Sequence, residues 1–174
     1  MDFLSLAKQR YSTRQFQSKK VEQQKIDAII EAAHVAPTAA NLQPHKLFIL
    51  EKEQDLSKLS AFANFYDAPL VIMVLAETTA SWQRPFDKKY FADIDCSIVT
   101  DHMMLEATSL GLGSVWIGYF SPEEIKKAFC LDLDVVSILA IGYAQENAAL
   151  SSERHQQTRK PISKLIYHPK KECI

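Results

Sequence analysis

The sequence predicts an α+β protein, with a central sheet flanked by helices. Three observations carry that prediction. Helix-like and strand-like segments interleave from one end of the chain to the other, so neither an all-α nor an all-β class fits. The interleaving has no regular strand–helix–strand rhythm, which favours a mixed α+β layer fold over a doubly wound parallel sheet. The 174 residues are 47 % apolar and 24 % charged, enough to bury one sizeable core. No repeat, low-complexity tract or Gly/Ser linker divides the chain, so it reads as one domain over residues 1–174.

Each element has its own signal. Asp2 can cap a first helix with Phe3, Leu6 and Ala7 on one face, ending near Tyr11. A second helix runs from about Glu22 to His34, with Ile26, Ile29, Ile30 and Ala33 as its core stripe, and Pro37 ends it. Lys46–Glu51 reads as a short strand and Pro69–Ala76 as a buried one. Ala92–Leu110 is the longest helical segment, stopped by Gly111. Its apolar residues form two faces: Ile94, Ile98 and Leu105 on one, Val99, Met103, Ala107 and Leu110 on the other. Such a helix is central, or shared with a second subunit. Ser114–Phe120 reads as a strand with Gly118 inside it. Ser121-Pro122-Glu123-Glu124 then opens a short helix with a capping serine. Val135–Ala144 is a third buried strand. The tail after Asn147 is polar and reads as extended, yet holds Leu165, Ile166 and Tyr167. It can wrap a partner subunit or fray.

Composition narrows the function. A formal net charge of -1 gives no field toward nucleic acid or an anionic membrane. The start, MDFLSLAKQR, does not read as a secretory signal, and Pro69–Ala76 is too short to span a bilayer. Cys96, Cys130 and Cys173 are odd in number and widely spaced, which suits a reducing cytoplasm. The five histidines show no metal-ligand spacing, Asp95 and Asp101 have no obvious metal partner, and Cys96 reads as packing. No Gly-x-Ser-x-Gly elbow, P-loop or dinucleotide fingerprint is present.

Five segments carry chemistry. In Arg10-Tyr11-Ser12-Thr13-Arg14 an extended backbone puts Arg10, Ser12 and Arg14 on one face, a grouping that suits a phosphate. Two solvated loop arginines are the alternative. Ala36–His45 sets the amides of Asn41 and Gln43 among small residues between prolines. An amide offers a donor and an acceptor together, matching the edge of a heterocycle. A helix-ending turn with Asn41 left-handed is the alternative. The segment 111–118 holds three of the four glycines. Gly111 and Gly113 read as a helix cap and turn, and Gly118 as a point of close approach by a ligand or another backbone. Ala80–Phe91 is dense in aromatics (Trp82, Phe86, Tyr90, Phe91) and reads as a lid or as ordinary loop packing. Arg159-Lys160-Pro161 alone is a solvated basic pair.

Taken together, these segments resemble the nitroreductase family of flavoproteins, in order and along nearly the whole chain. RYSTR at 10–14, APTAANLQPHKLFIL at 36–50, GLGSVWIG at 111–118 and RKP at 159–161 look like that family's motifs. The resemblance implies a mixed sheet flanked by helices in an intertwined homodimer, with FMN at the subunit interface. It implies that Arg10, Ser12, Arg14 and Arg159 hold the phosphate and ribityl chain. Pro37, Thr38, Asn41 and Gln43 would line the flavin ring, partly from the second subunit. The backbone around Ile117, Gly118 and Tyr119 would face its reactive N5. The expected activity is ping-pong transfer of hydride from NADH or NADPH, through the flavin, to a small oxidised acceptor such as a nitroaromatic or quinone. No side-chain acid or base is required. A flavin storage or sensing module without efficient turnover is the alternative. Two departures stand out. Gln157 occupies a position where many members carry lysine, implying a weaker hold on FMN. The chain also lacks the helical insertion of larger members, leaving Trp82, Phe86 and Tyr90 as the expected substrate lid.

Overall fold

The computed structural model describes residues 2–148 and 150–169. Its centre is a four-stranded antiparallel sheet. The strands are β1 (His45–Leu50), β2 (Leu70–Ala76), β3 (Gly113–Ile117) and β4 (Asp134–Gly142), in the order β1-β2-β4-β3. Among the described residues, the parallel component of the expected mixed sheet is one isolated bridge, Ser12 with Ser114, on the free edge of β3. Every residue of β2 is buried, as its unbroken apolar run requires of a central strand.

Side chains of a strand alternate between faces, so the sheet has two cores. On one face Leu70, Ile72, Val74, Leu139 and Ile141 meet α2 (Gln23–His34) and α4 (Ala92–Ser109). On the other, Val71, Met73, Leu75, Ile138 and Ala140 meet α3 (Glu53–Leu59), α5 (Pro122–Phe129) and Phe16. Val74 opposes Ser137, but Leu75 opposes Val135, so Val136 is an extra residue. This bulge shifts the alternation and turns Val135 to the second core.

The helix α4 is central. Cys96, Val99, Met103 and Ala107 are fully buried, whereas Ile94 on its other face is 37 % exposed. Ile94, Ile98 and Trp116 line an open apolar depression. Thr100 Oγ1 satisfies itself on the Cys96 carbonyl and the Ser137 hydroxyl, both at 2.7 Å. The helix α1 (Phe3–Gln9) is capped as expected, the Ser5 amide donating to Asp2 Oδ1 at 3.0 Å.

Several expectations need correction. The tail is not simply extended: it contains α6 (Arg154–Thr158) and a 3₁₀ turn at Ile162–Lys164. Leu165, Ile166 and Tyr167 remain exposed. The strand expected over Ser114–Phe120 stops at Ile117, so Gly118 lies beyond it. Ser121 caps α5 through its backbone carbonyl, which accepts from the Ile125 amide; its side chain makes no cap bond. The helix α3 has no counterpart in the sequence reading, because Leu56 and Leu59 alone do not make a stripe. Cys173 lies outside the described residues. Among the described residues, no helix is long and apolar enough to cross a membrane.

Candidate functional site

The site is built where the two ends of the chain meet at the edge of β3. The Thr13 amide donates to the Ser114 carbonyl at 2.9 Å and the Gln17 amide to the Tyr143 carbonyl at 2.8 Å. These bonds hold residues 12–17 extended against the sheet. Thr13 is wholly buried, so its neighbours Ser12 and Arg14 turn away from it. Gly113 makes this seating feasible. A Cβ there would lie 2.4 Å from Thr13 Oγ1 and 2.8 Å from both its Cβ and Cγ2. Gly113 is thus a close-approach residue rather than the turn expected of it. Gly118 has open space where a Cβ would stand, and Gly111, with φ +75, ends α4 as expected.

From the other end, His155 Nε2 lies within hydrogen-bond distance of the Arg10 carbonyl. A carbonyl only accepts, so Nε2 carries the proton and donates. This bond docks α6 over the N-terminal segment. Between them is a cavity of about 220 Å³ lined by Arg10, Tyr11, Ser12, Arg14, Leu150, Ser151, Arg154, His155, Thr158 and Arg159. Four arginines line it, and among the described residues no acidic residue does. Among the described residues none of the four arginines forms an ion pair. The Arg10 guanidinium is pulled below its usual range, first by burial and then by the like charge of Arg159, with Asp101 opposing. Arginines gathered around a cavity whose described lining holds no carboxylate make it a candidate site for an anion. Arg14 also lies over the Tyr66 ring, 5.9 Å from its centroid.

The cavity brings together Arg10, Ser12, Arg14 and Arg159, which the sequence singled out. It adds Ser151, Arg154, His155 and Thr158, which sequence reasoning missed. Their signal was the helical spacing of Arg154, His155, Thr158 and Arg159, obscured by reading the tail as extended. Arg154 supplies a cation to the same cavity despite glutamine at 157.

Pro37, Thr38, Asn41 and Gln43 do not line this cavity. They lie on the loop between α2 and β1, where Ala40, Asn41 and Gln43 adopt positive φ of 51°, 55° and 50°. Asn41 is left-handed, as the turn alternative required. The Gln43 amide donates to Thr38 Oγ1 at 3.1 Å, and Gln43 Nε2 to the Asn41 carbonyl at 3.0 Å. The buried Asp95 accepts the Ala39 amide at 2.8 Å through Oδ1. Among the described residues, Asp95 Oδ2 and His45 Nδ1 are buried without hydrogen-bond partners. Burial holds the His45 imidazole below its usual range, as does Lys46, while Asp95 opposes them. Ile117 is buried, and Gly118 and Tyr119 are exposed.

The segment 80–91 folds back on itself. Gln83 bridges Tyr90, Arg84 pairs with Asp87, and Trp82 packs edge-on against Phe91 at 4.8 Å. Phe86 stands at its tip, 96 % exposed. Cys96 is buried, and burial pushes its thiol up to about 12, in keeping with packing. A larger groove of about 890 Å³, lined by Lys20, Lys52, Leu56 and Asp67 among others, contains none of the residues singled out. Among the described residues no group of three or more His, Cys, Asp or Glu could hold a metal ion.

An α+β sheet with an arginine-lined cavity at its edge defines the fold and its candidate site. Comparison with known proteins supplies the family. A sequence model of the nitroreductase family matches residues 7–64 and 50–143. A relative from Methanothermobacter thermautotrophicus, provisionally named NADH dehydrogenase/NAD(P)H nitroreductase, is 31 % identical over 157 residues, covering 84 % of this chain and 80 % of the relative. The crystal structure of a nitroreductase family protein from Clostridium difficile 630 superposes with a TM-score of 0.93 at 46 % identity, covering 98 % of this chain and 99 % of that one. An FMN-dependent nitroreductase from Clostridium difficile R20291 shares the fold, with a TM-score of 0.72 at 24 % identity and coverage of 92 % and 99 %. The chain belongs to the nitroreductase family, and its general role is that of an oxidoreductase.

Proposed function

We propose that the protein is an FMN-dependent oxidoreductase that moves hydride from NADH or NADPH to a small oxidised acceptor, nitroaromatic or quinone-like, by a ping-pong mechanism. The observation that carries this reading is the arginine cavity. A phosphate monoester bears about -1.5 to -2 at pH 7, and it would offset the burial and the like charge of Arg159 that together pull the Arg10 guanidinium below its usual range. The chemistry of the donors therefore fits the phosphate end of FMN.

When bound, FMN supplies the ring nitrogen N5 that takes hydride from the nicotinamide and gives it to the acceptor. The chain's own residues bind and orient. Arg10, Arg14, Arg154 and Arg159 hold the phosphate with charge-assisted hydrogen bonds, and Ser12 adds a neutral donor. Pro37, Thr38, Asn41 and Gln43 face the ring, with Asn41 and Gln43 offering amide donors and acceptors to its polar edge. The exposed backbone at Gly118 lets the ring approach without a side chain in the way. Trp82, Phe86 and Tyr90 form the lid that excludes water from the reacting pair.

The protein acts as a homodimer. The exposed apolar face of α4 with Trp116, together with the exposed Ile162, Leu165, Ile166 and Tyr167, supports this assembly. A cytoplasmic location accompanies this reading.

The test is the visible spectrum of the purified protein, followed anaerobically as NADH and then NADPH is added. Flavin bands that bleach quickly are the expected result. Bands that persist would favour the storage or sensing module, and a protein that stays colourless with added FMN would overturn the reading. Arg14→Ala is expected to lower flavin content.

A further inference from the structure

The loop between α2 and β1 is shaped from within but placed from without. Its internal bonds, from the Asn41 amide to the Thr38 carbonyl at 2.9 Å and from the Gln43 amide to Thr38 Oγ1 at 3.1 Å, fix its curvature. They do not fix where it lies against the rest of the fold. Among the described residues, the side-chain hydrogen bond that joins its 3₁₀ turn to another element is the 2.8 Å bond from the Ala39 amide to Asp95 on α4.

Asp95 is a surprising choice for mere packing. It is 1 % exposed, and among the described residues its second oxygen has no hydrogen-bond partner. A buried carboxyl group with one of its two oxygens left without a donor is unfavourable, and an apolar residue would pack there at lower cost. Such local contradictions of folding logic concentrate at functional positions. The turn it holds is itself strained, with non-glycine residues at positive φ.

We infer that Asp95 is the positioning residue of the flavin-ring loop: its carboxylate fixes the Ala39 amide, and through it the placement of Thr38 and Asn41. The inference rests on the proposed FMN reading. It separates two halves of the site, since Asp95 acts on the ring loop and not on the arginine cavity.

That separation gives the test, which is to titrate FMN and riboflavin into the apoprotein while monitoring flavin fluorescence. Asp95→Ala removes the acceptor. A lost hydrogen bond to a charged group predicts binding about tenfold or more weaker. Because the phosphate cavity is untouched, FMN and riboflavin should weaken by the same factor. Asp95→Asn keeps an oxygen for the Ala39 amide and should restore most of the affinity. Ala39→Pro removes the donor instead. Thr38, at φ -131 and ψ 156, already has the extended backbone that a following proline requires. This variant leaves α4 unaltered, so it answers the question if Asp95→Ala fails to fold, and it should reproduce the equal loss. Unchanged flavin binding in Asp95→Ala or Ala39→Pro would overturn the inference. So would Asp95→Asn being as weak as Asp95→Ala, or a loss confined to FMN. A parent protein that binds neither flavin would overturn the functional reading and this inference with it. A parent that binds both while its variants bind equally well would overturn this inference alone.

Discussion

Adding one methyl group at Gly113 should damage both the fold and the site. The new Cβ would stand 2.4 Å from Thr13 Oγ1 and 2.8 Å from Thr13 Cβ and Cγ2. Rotation about the Thr13 side chain cannot relieve this, because all three heavy atoms crowd the same point and a β-branched residue has little rotamer freedom. Thr13 is wholly buried, so the backbone of residues 12–14 must move. Overpacking of this kind costs about 1–3 kcal/mol. For a chain of this size each kcal/mol is worth roughly 2–4 °C, so Gly113→Ala should lower Tm by roughly 2–12 °C. The displaced backbone carries Ser12 and Arg14, so FMN retention should fall as well. Thermal unfolding followed by circular dichroism measures the first effect and a flavin titration the second. Thr13→Gly in the same chain should recover much of the loss, since it removes the crowded atoms; the coupling is read from a double-mutant cycle. Gly118→Ala is the control in the flavin-free protein: open space awaits its Cβ, so Tm should not change there. A Gly113→Ala protein as thermostable as its parent would refute the close-approach argument.

Other expectations follow from the same geometry. Arg154→Ala should weaken FMN binding about tenfold or more and leave riboflavin binding unchanged, since the residue lines only the arginine cavity; parallel titrations of the two flavins check this. His45 has a folded-state pKa below its unfolded value, so the unfolded chain takes up the proton first. The stability tied to its neutral form is therefore full above about pH 6.5 and declines as pH falls toward the folded pKa. His45→Asn should flatten that part of a Tm-versus-pH curve. Phe86→Ala should leave Tm unaltered, because the ring stands exposed, but should change the acceptor KM if the segment is a lid.

The parts of the fold legible in the sequence are those where one local signal decides. The α2 stripe, the apolar run of β2 and the length of α4 each survive with boundaries shifted by a residue or two. The two-faced pattern of α4 also holds, with Val99 and Met103 buried and Ile94 exposed. Elements whose stability comes from contacts rather than pattern were not legible. The helix α3 offers only Leu56 and Leu59. The five residues of α6 are far below the length at which helix propensity alone suffices, and they depend on docking against Arg10. The role of Gly113 could not be read because its partner, Thr13, lies 100 positions away in the chain. Asp95 was visible as a residue on a helix, but its meaning lies in an amide that only the folded loop presents to it. Arg10, Ser12 and Arg14 were legible as one face because period-two alternation is a property of extended backbone wherever it lies.

The arginine cavity implies a linkage between ligand and structure. Its walls come from residues 10–14 and 150–159, which are joined by the hydrogen bond from His155 to the Arg10 carbonyl and opposed by the like charges of Arg10 and Arg159. An anion between the walls converts that repulsion into attraction. A ligand that binds only the docked arrangement stabilises it by about 2.7 kcal/mol at one hundred times its Kd. That stabilisation should fall on α6 first, because α6 is the element least able to stand alone, whereas α4 and β2 are already buried by their own packing. Hydrogen exchange of the apoprotein, with and without saturating FMN, should therefore show the largest gain in protection in the segment containing α6. Riboflavin, which lacks the phosphate, should produce little of it. Equal gains throughout the chain, or equal gains with the two flavins, would mean that the phosphate is not what joins the two ends.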